Sequence, residues 1–243
     1  MTLASNAYSL QNAWNSLSAH PRLDGKGAVY AFVAARTGVG TSFVTRNMAH
    51  IAALKPVSQT GTSRRVLIID MDLQNSSQAR WFFSPEAIAV YGQPQGPYDA
   101  GLGQEPFWRV TPAMAGPDGL PLNNSVFMSL HTTPYVNLAF SCFHWEKFLP
   151  GQNVHLIKAR QYWHELRAQF SAVFVDVPAL DRTDILDIIC PEADSTILVS
   201  AANEVNAIPN GQAHKRILET GGRCAGMILN EFPAGHLAQG GRS

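Results

Sequence analysis

The sequence predicts a single doubly wound α/β domain, with a mostly parallel sheet and helices on both faces. Two observations support this prediction. Short apolar runs typical of buried strands alternate with segments whose apolar residues recur at helical spacing. This alternation implies right-handed crossovers between parallel strands. The chain has 243 residues, 46% of them hydrophobic, which is enough for one core of the larger α/β kind.

The elements of the first half follow from these patterns in order. Apolar residues at helical spacing predict an amphipathic helix over 8–18 and a second helix over 43–54. The run 28–34 contains β-branched and aromatic residues and predicts a strand buried on both faces, as does the run 66–69. The glycine-bearing loop 35–42 connects the first strand to the second helix.

The segment 84–124 differs from the rest because proline and glycine dominate it. It lacks apolar periodicity, so we expect a long, loop-rich insertion rather than a separate domain. Its aromatic residues Tyr98, Phe107 and Trp108 are expected to be exposed and to form a binding surface, since aromatic residues are enriched in interface cores. The alternative is that they pin a long loop onto the core.

The second half returns to regular alternation. Helices are predicted over 154–170 and 209–220. Strands are predicted over 127–130, 136–140, 172–175, 196–199 and 225–229.

Composition and charge narrow the possible partners. Lysine plus arginine (18) equals aspartate plus glutamate (18), so no nucleic-acid partner is expected. The three cysteines, Cys142, Cys190 and Cys224, are far apart, which argues against a disulfide framework and favours a cytoplasmic setting. The longest apolar run, 28–35, is much shorter than the ~20 residues of a membrane span, so direct membrane insertion is not expected.

Polar groups follow several predicted strands at their carboxyl ends, where open parallel sheets bind ligands. They are Gly38 and Gly40 of the 35–42 loop, Asp70 with Asp72, Asp176, and Asn230. A glycine-bearing loop that leads into a helix can bind phosphate, and carboxylates can hold Mg²⁺. The alternative is that the aspartates cap the turns or helices that follow them.

The 35–42 loop departs from the phosphate-loop pattern G-x-x-x-x-G-K-[ST]. Ala35 stands in place of the first glycine and Thr41 in place of the lysine, while Ser42 keeps the hydroxyl that would bind Mg²⁺. Charge-assisted hydrogen bonds of the kind that lysine makes contribute about 1.5–3 kcal/mol each. We therefore expect nucleotide binding to be weakened at least about tenfold, and ATP hydrolysis to be weak or absent.

Four segments in the family's order resemble the deviant P-loop ATPases of the MinD/ParA type. Residues 36–42 resemble their K-G-G-V-G-K-T loop, 69–74 their second acidic motif, and 174–178 their Walker B segment. Residues 226–230 resemble the late strand whose terminal asparagine contacts adenine. The resemblance implies ATP or ADP with Mg²⁺ as the cofactor if a nucleotide binds at all, and a P-loop NTPase-like domain over 28–233.

The resemblance also implies roles for individual residues. Nucleotide contacts are implied for Arg36, Gly38, Val39, Gly40, Thr41, Ser42 and Asn230. Mg²⁺ ligands are implied at Ser42, Asp70 and Asp176, and catalytic roles, if the protein is active, at Asp70, Asp72 and Asp176. Arg36 occupies the place of a lysine that reaches a partner's nucleotide across a dimer. The alternative is that it is a solvated loop arginine.

Within that family, the chain most resembles the cytoplasmic tyrosine kinases of bacterial capsule and exopolysaccharide assembly. The helix before the first strand, the segment 98–103 and the segment 136–138 carry this resemblance. The chain departs from it because residues 12–18 lack the family's glutamate and arginines, which puts ring assembly in doubt, and because 232–243 contain no tyrosine. We therefore expect no tyrosine autophosphorylation.

These features give two functional hypotheses. The first is a degenerate kinase-like regulatory or scaffolding protein in polysaccharide export, recruited to the inner membrane only through a membrane co-polymerase or another export-complex protein. The second is an active ATPase with a nucleotide-dependent dimer switch, so a homo-oligomer is possible. Residues 1–27 are then an N-terminal helix and linker, and 234–243 a loose tail.

Overall fold

The computed structural model describes residues 3–19, 24–54, 65–113, 115, 119, 121–203 and 207–231, so the predicted tail lies outside it. Its helices are α1 (Leu3–Ser18), α2 (Thr41–Leu54), α3 (Ser77–Phe82), α4 (Pro85–Tyr91), α5 (Arg160–Gln169), α6 (Leu186–Ile189) and α7 (Ile208–Glu219). Its strands are β1 (Ala28–Ala34), β2 (Val66–Asp70), β3 (Gln95–Asp99), β4 (Trp108–Thr111), β5 (Met128–Thr132), β6 (Leu138–Phe143), β7 (Asn153–Leu156), β8 (Ala172–Asp176), β9 (Ser195–Ala201) and β10 (Cys224–Asn230).

Eight of the described strands form one mixed sheet in the order β10-β9-β1-β8-β2-β6-β5-β3. The strands from β10 to β6 run parallel to one another, and β5 and β3 extend the sheet in antiparallel fashion. β4 and β7 form a separate antiparallel pair. The predicted fold class, an α/β domain with a mostly parallel sheet covered by helices on both faces, is confirmed.

Strand β1 lies inside this sheet, between β9 and β8, and contributes to two cores. Val29 and Val33 belong to the core that also contains α5 and α7 residues, whereas Tyr30 and Phe32 belong to the core that contains α2 residues. Side chains alternate between the faces of a strand, so an almost wholly apolar run can fill both layers. Gly27 precedes the strand where the end of α5 passes, since a Cβ there would lie 2.0 Å from the Phe170 carbonyl oxygen.

The predicted helix over 154–170 is partly wrong. The structure has strand β7 in its first part, and α5 begins only at Arg160. Val154 and Leu156 pair with Val110 and Trp108 of β4, and this long-range pairing takes these residues out of the helix. The segment 84–124, expected to be loop-rich, contains α4, β3 and β4.

The expectation that Phe107 and Trp108 are exposed is wrong, because both are 0% exposed. Phe107 stacks on Trp163 of α5 with ring centroids 5.5 Å apart. The Trp108 indole Nε1 donates a 2.7 Å hydrogen bond to the Asn124 carbonyl. The alternative, that these aromatics pin the segment to the core, is the correct one for both. Tyr98 on β3 is 50% exposed, as expected.

The predictions on cysteines and membrane insertion can also be compared with the structure. Cys142, Cys190 and Cys224 are all free thiols. Among the residues described, no helix has both the length and the apolar character that crossing a bilayer requires.

Candidate functional site

The carboxyl ends of three neighbouring strands bring the predicted site residues together. Strand β8 lies between β1 and β2, and Asp176 at its end is opposite Asp70 at the end of β2. On its other side Asp176 is opposite Phe32, which is two residues before Ala34, the last residue of β1. The 35–42 loop begins directly after Ala34. The two carboxylates and the loop therefore share one edge of the sheet.

The 35–42 loop turns sharply from β1 into α2. Gly38 and Gly40 have φ values of 86° and 88°, a region that residues with a side chain rarely adopt. The Val44 N–H donates to the Gly40 carbonyl at 3.0 Å, so the loop leads directly into the first turn of α2. Thr41 is the first residue of that helix and carries no charge toward the loop.

One residue of the loop is held from outside it. The backbone N–H and the hydroxyl of Thr37 both donate to the Asp181 carboxylate, at 2.9 and 2.8 Å. Arg36 and Gly38 on either side of Thr37 are exposed to solvent. The two hydrogen bonds of Thr37 therefore attach the exposed part of the loop, residues 36–38, to Asp181.

Asp176 is contacted by the side chain of Gln78 from α3. The Gln78 Nε2 donates to Asp176 Oδ2 at 2.7 Å and to the Ser42 carbonyl at 3.0 Å. The Ser42 hydroxyl also hydrogen-bonds the carboxylate. Burial is the largest influence and raises the pKa of Asp176, while the hydrogen bonds from Ser42 and Gln78 act in the opposite direction.

Asp70 is satisfied largely by backbone groups. The N–H of Asp72 donates to Oδ1 at 2.9 Å, and the N–H of Gln78 donates to Oδ2 at 3.0 Å. The pKa of Asp70 is raised well above its ordinary value, first by burial and then by the charge of Asp176. Two buried carboxylates side by side favour sharing a proton or a nearby positive charge.

Arg46 supplies a positive charge close to these two carboxylates. Its Nη1 donates to Gln78 Oε1 at 3.1 Å, and its guanidinium carbon lies 4.2 Å from the centre of the Trp81 ring. Burial lowers the pKa of Arg46 to about 10, with the charges of Asp176 and Asp70 acting in the opposite direction. The side chain is therefore a cation at neutral pH, and it is attracted to both aspartates.

Asp72, a predicted catalytic residue, is bound within the protein. Both of its oxygens accept hydrogen bonds from Arg182, and its Oδ2 also accepts one from the Asn75 side chain at 2.7 Å. Burial acts to raise its pKa, but the hydrogen bonds from Arg182 and Asn75 lower it below the ordinary value. Asp72 is therefore an ionised acceptor that is already paired.

Asn230 lies at the end of β10 and is buried. Its Nδ2 donates to the Val39 carbonyl at 2.8 Å, so the amide contacts the 35–42 loop. Asn230 therefore lies beside the loop, as the motif order predicts, and braces it.

The Mg²⁺ ligands implied by the resemblance do not fit that ion as they are arranged. Mg²⁺ requires near-octahedral oxygen ligands and is commonly bound through one or two carboxylates. Here an amide N–H₂ donor, Gln78 Nε2, lies beside Asp176 and Ser42, and backbone N–H groups use both oxygens of Asp70. Within the residues described, no group of three or more histidine, cysteine, aspartate or glutamate side chains is placed to hold a metal.

Sequence reasoning missed three residues of this site: Gln78, Arg46 and Arg182. Arg46 follows Ser42 by four positions in a predicted helix, so the two share a helix face, and this spacing could have revealed it. The positions of Gln78 and Arg182 depend on how α3 and the chain after β8 return to the sheet edge. No motif in the sequence indicates either of them.

A second polar cluster lies at the start of β5, two strands from Asp70 along the same end of the sheet. The Ser129 hydroxyl is 2.8 Å from His144 Nε2, and His144 Nδ1 is 2.8 Å from Glu146. The order resembles a nucleophile, base and acid, but Ser129 is 5% exposed and its oxygen is also 3.0 Å from His131 Nε2. We interpret the cluster as a buried hydrogen-bond network.

Comparison with solved structures gives the relatives of this fold. The VpsO kinase domain matches 93% of this chain over 95% of its own length, with a TM-score of 0.53 and 16% identity. The BceF tyrosine kinase domain matches 93% of this chain over 75% of its own length, with a TM-score of 0.51 and 21% identity. The kinase domain of the Escherichia coli tyrosine kinase ETK matches 92% of this chain over 74% of its own length, with a TM-score of 0.55 and 15% identity. No protein-family model and no curated protein matches the sequence.

These similarities show the fold. The chain has the fold of bacterial tyrosine kinase domains, and the resemblance predicted from the motifs is confirmed at that level. The match extends over nearly the whole chain, so it includes both the motif-bearing edge and the middle segment.

Proposed function

We propose that this protein is a degenerate, kinase-like regulatory or scaffolding protein that acts in bacterial exopolysaccharide or capsule synthesis and export. Its partner is a membrane co-polymerase or another protein of the export complex. Its place is the cytoplasm, with recruitment to the inner membrane only through that partner. The kinase-domain fold supports the family, and the state of the site supports the loss of catalysis.

Two changes at the site carry the proposal: Thr41 stands where a phosphate loop has its lysine, and Asp72 is paired with Arg182. The first change removes a cation from the phosphates. The second occupies a carboxylate that would otherwise be available to act as a base. Because phosphoryl transfer depends on positioning and charge, losing both leaves little to drive it.

The second candidate is an active ATPase with a nucleotide-dependent dimer. The observation that favours it is that the 35–42 loop, Asp70 and Asp176 still meet at one sheet edge. Arg36 is exposed on that loop, which is compatible with the contact to a second subunit's nucleotide that the resemblance implies. The two candidates differ in whether adding ATP changes the oligomeric state, which size-exclusion chromatography with light scattering measures.

The partner is tested by co-purification and membrane fractionation. The protein is produced with and without a candidate co-polymerase, and its distribution between soluble and membrane fractions is compared. We expect it in the membrane fraction only with the co-polymerase, and eluting with it from an affinity column. A protein that stays soluble and unbound in both cases contradicts the partner proposal.

The loss of kinase activity is tested separately. Purified protein is incubated with ATP and Mg²⁺ and examined for phosphotyrosine by mass spectrometry. We expect none, because the loop lacks its lysine and Asp72 is already paired. Phosphotyrosine that increases with time, and that is absent from a Ser42→Ala variant, contradicts the proposal of a degenerate kinase.

A further inference from the structure

The side chain of Gln78 lies among the groups that would hold a divalent cation in this fold. Its Nε2 is 2.7 Å from Asp176 Oδ2 and 3.0 Å from the Ser42 carbonyl, and its backbone N–H donates to Asp70. Gln78 is 0% exposed, so this amide belongs to the packed interior. A buried polar side chain is stable only where its hydrogen bonds are made, and here both ends of the amide have partners.

The other end of that amide is bound by Arg46. The Arg46 Nη1 donates to Gln78 Oε1 at 3.1 Å, and the Trp81 ring fixes the guanidinium from one side at 4.2 Å. Arg46 is also one helical turn beyond Ser42 on α2, so it is directed to the same region as the serine. Its charge attracts both Asp176 and Asp70.

A bound Mg²⁺ would contact carboxylate oxygens of the protein and compensate their negative charge, and the contacts of Gln78 and Arg46 do both. The amide N–H₂ of Gln78 satisfies the Asp176 carboxylate, and the arginine compensates the negative charge of the two aspartates. An ion that entered would have to displace Gln78 and would lie close to the Arg46 cation. Both requirements oppose its binding, the first by leaving a buried amide without partners and the second by charge repulsion.

We propose that this protein binds a nucleoside diphosphate at the 35–42 loop without a divalent cation, and that Gln78 and Arg46 take the place of the ion. The proposed function does not itself require a nucleotide, so the inference goes beyond it and depends on nucleotide binding at this loop. Backbone N–H groups and the helix N-terminus bind phosphate whether or not a metal is present. A diphosphate carries less charge than a triphosphate, so it needs less compensation from a lysine or an ion.

The test is calorimetric titration of ADP into the full-length protein, in Mg²⁺ and in EDTA. For the wild type we expect dissociation constants that agree within about twofold. Gln78→Ala removes the amide and frees Asp176, so Mg²⁺ should then tighten ADP binding about tenfold. Gln161→Ala, an exposed glutamine of α5 outside every segment assigned to the site, is the matched control and should behave as the wild type does.

A second readout does not depend on affinity. Electron paramagnetic resonance of Mn²⁺ measures directly whether the ion binds in the presence of ADP. We expect no ADP-dependent loss of the free Mn²⁺ signal with the wild type beyond that of ADP alone, and a clear loss with Gln78→Ala. Arg46→Met keeps the apolar stem but removes the charge, and if it folds it should bind Mn²⁺ as well.

The possible failures can be distinguished. If Mg²⁺ tightens ADP binding to the wild type tenfold, the inference is overturned while nucleotide binding stands. If Gln78→Ala is folded and remains insensitive to Mg²⁺, the role given to Gln78 is wrong. If the wild type binds no ADP in either buffer, both this inference and nucleotide binding at the loop are wrong, whereas the co-polymerase proposal is decided by fractionation.

Discussion

The side-chain amide of Asn230 donates a 2.8 Å hydrogen bond to the carbonyl of Val39, which joins the end of β10 to the 35–42 loop. The two residues are 191 positions apart in the chain. Both are buried, with exposed fractions of 6% and 7%, so water does not compete for the bond. The loop conformation is therefore stabilised from the far side of β9 as well as by its own glycines.

Asn230→Ala is expected to destabilise the protein and to loosen the loop. Removing the amide leaves the buried Val39 carbonyl without this donor, which costs about 1–3 kcal/mol of unfolding free energy. Urea denaturation measures that cost, and hydrogen exchange should show faster exchange in the loop than in β1. Asn203→Ala, an exposed asparagine in the turn after the neighbouring strand β9, is the control and should change neither.

Thr41→Lys alone is not expected to restore ATP hydrolysis. The lysine would return a cation to the phosphates, but Asp72 would remain paired with Arg182 and Asp176 with Gln78. Steady-state phosphate release should therefore stay near the background of the wild type, although ATP affinity should rise about tenfold.

Brisk turnover by the wild type would contradict this prediction. It would mean that another cation acts on the phosphates, and Arg36 of the same loop is the candidate. Arg36→Ala in the wild-type background decides the matter, because it should abolish such turnover if Arg36 is responsible. Arg80→Ala, an exposed arginine of α3, serves as the control for a general loss of positive charge.

The sequence was a good guide to the parallel part of the sheet. Strands such as β1 and β8 are buried on both faces, so their sequences are almost wholly apolar and are recognisable without a partner. Strand β3 shows the opposite case. Its residues are all exposed, it contains glycine and proline, and it forms because β5 offers it an edge to pair with. Such pairing is long-range and leaves no local pattern.

The position of the site in the fold could be predicted from the sequence, but the contacts of its side chains could not. The order of Asp70, Asp176 and the glycine loop along the chain was enough to place them at one sheet edge, because parallel strands end at the same side. What those carboxylates contact was not predictable. The partners Gln78 and Arg182 reach the edge through tertiary packing, and single polar residues in helices and turns are too common to be distinguished by sequence.

His131 predicts a measurable loss of stability toward acid pH. Burial, and then the neighbouring His144, lower the pKa of His131 below its ordinary value. The unfolded chain therefore binds more protons than the native one below about pH 6.5, so this stabilisation is complete above that pH and is lost as the pH falls from there through the lowered pKa of the folded protein. Urea denaturation at several pH values should show the loss for the wild type and a flatter profile for His131→Gln.

Other groups with shifted pKa values contribute to the pH profiles of both proteins. His50 is shifted in the same direction by burial, and Asp70 and Asp176 are shifted upward, but all three are present in both proteins. The difference between the two profiles therefore reports His131 together with its interaction with His144. His214→Gln, an exposed histidine of α7, should keep the wild-type profile. An unchanged slope for His131→Gln would mean that its imidazole is not kept neutral by burial.

Substitutions of aromatic residues can distinguish a loss of folding stability from a loss of partner binding. Trp108→Ala removes a side chain that is 0% exposed and should cost about 3–5 kcal/mol of unfolding free energy, without a specific effect on the partner. Tyr135 in the loop between β5 and β6 and Tyr98 on β3, the last strand of the sheet, are 73% and 50% exposed, so replacing both by alanine should change stability by no more than about 0.5 kcal/mol each. If this edge contacts the co-polymerase, the double variant should lose co-purification while its melting temperature stays the same. If it still co-purifies fully, the partner binds elsewhere, and the sheet edge around the 35–42 loop becomes the surface to test.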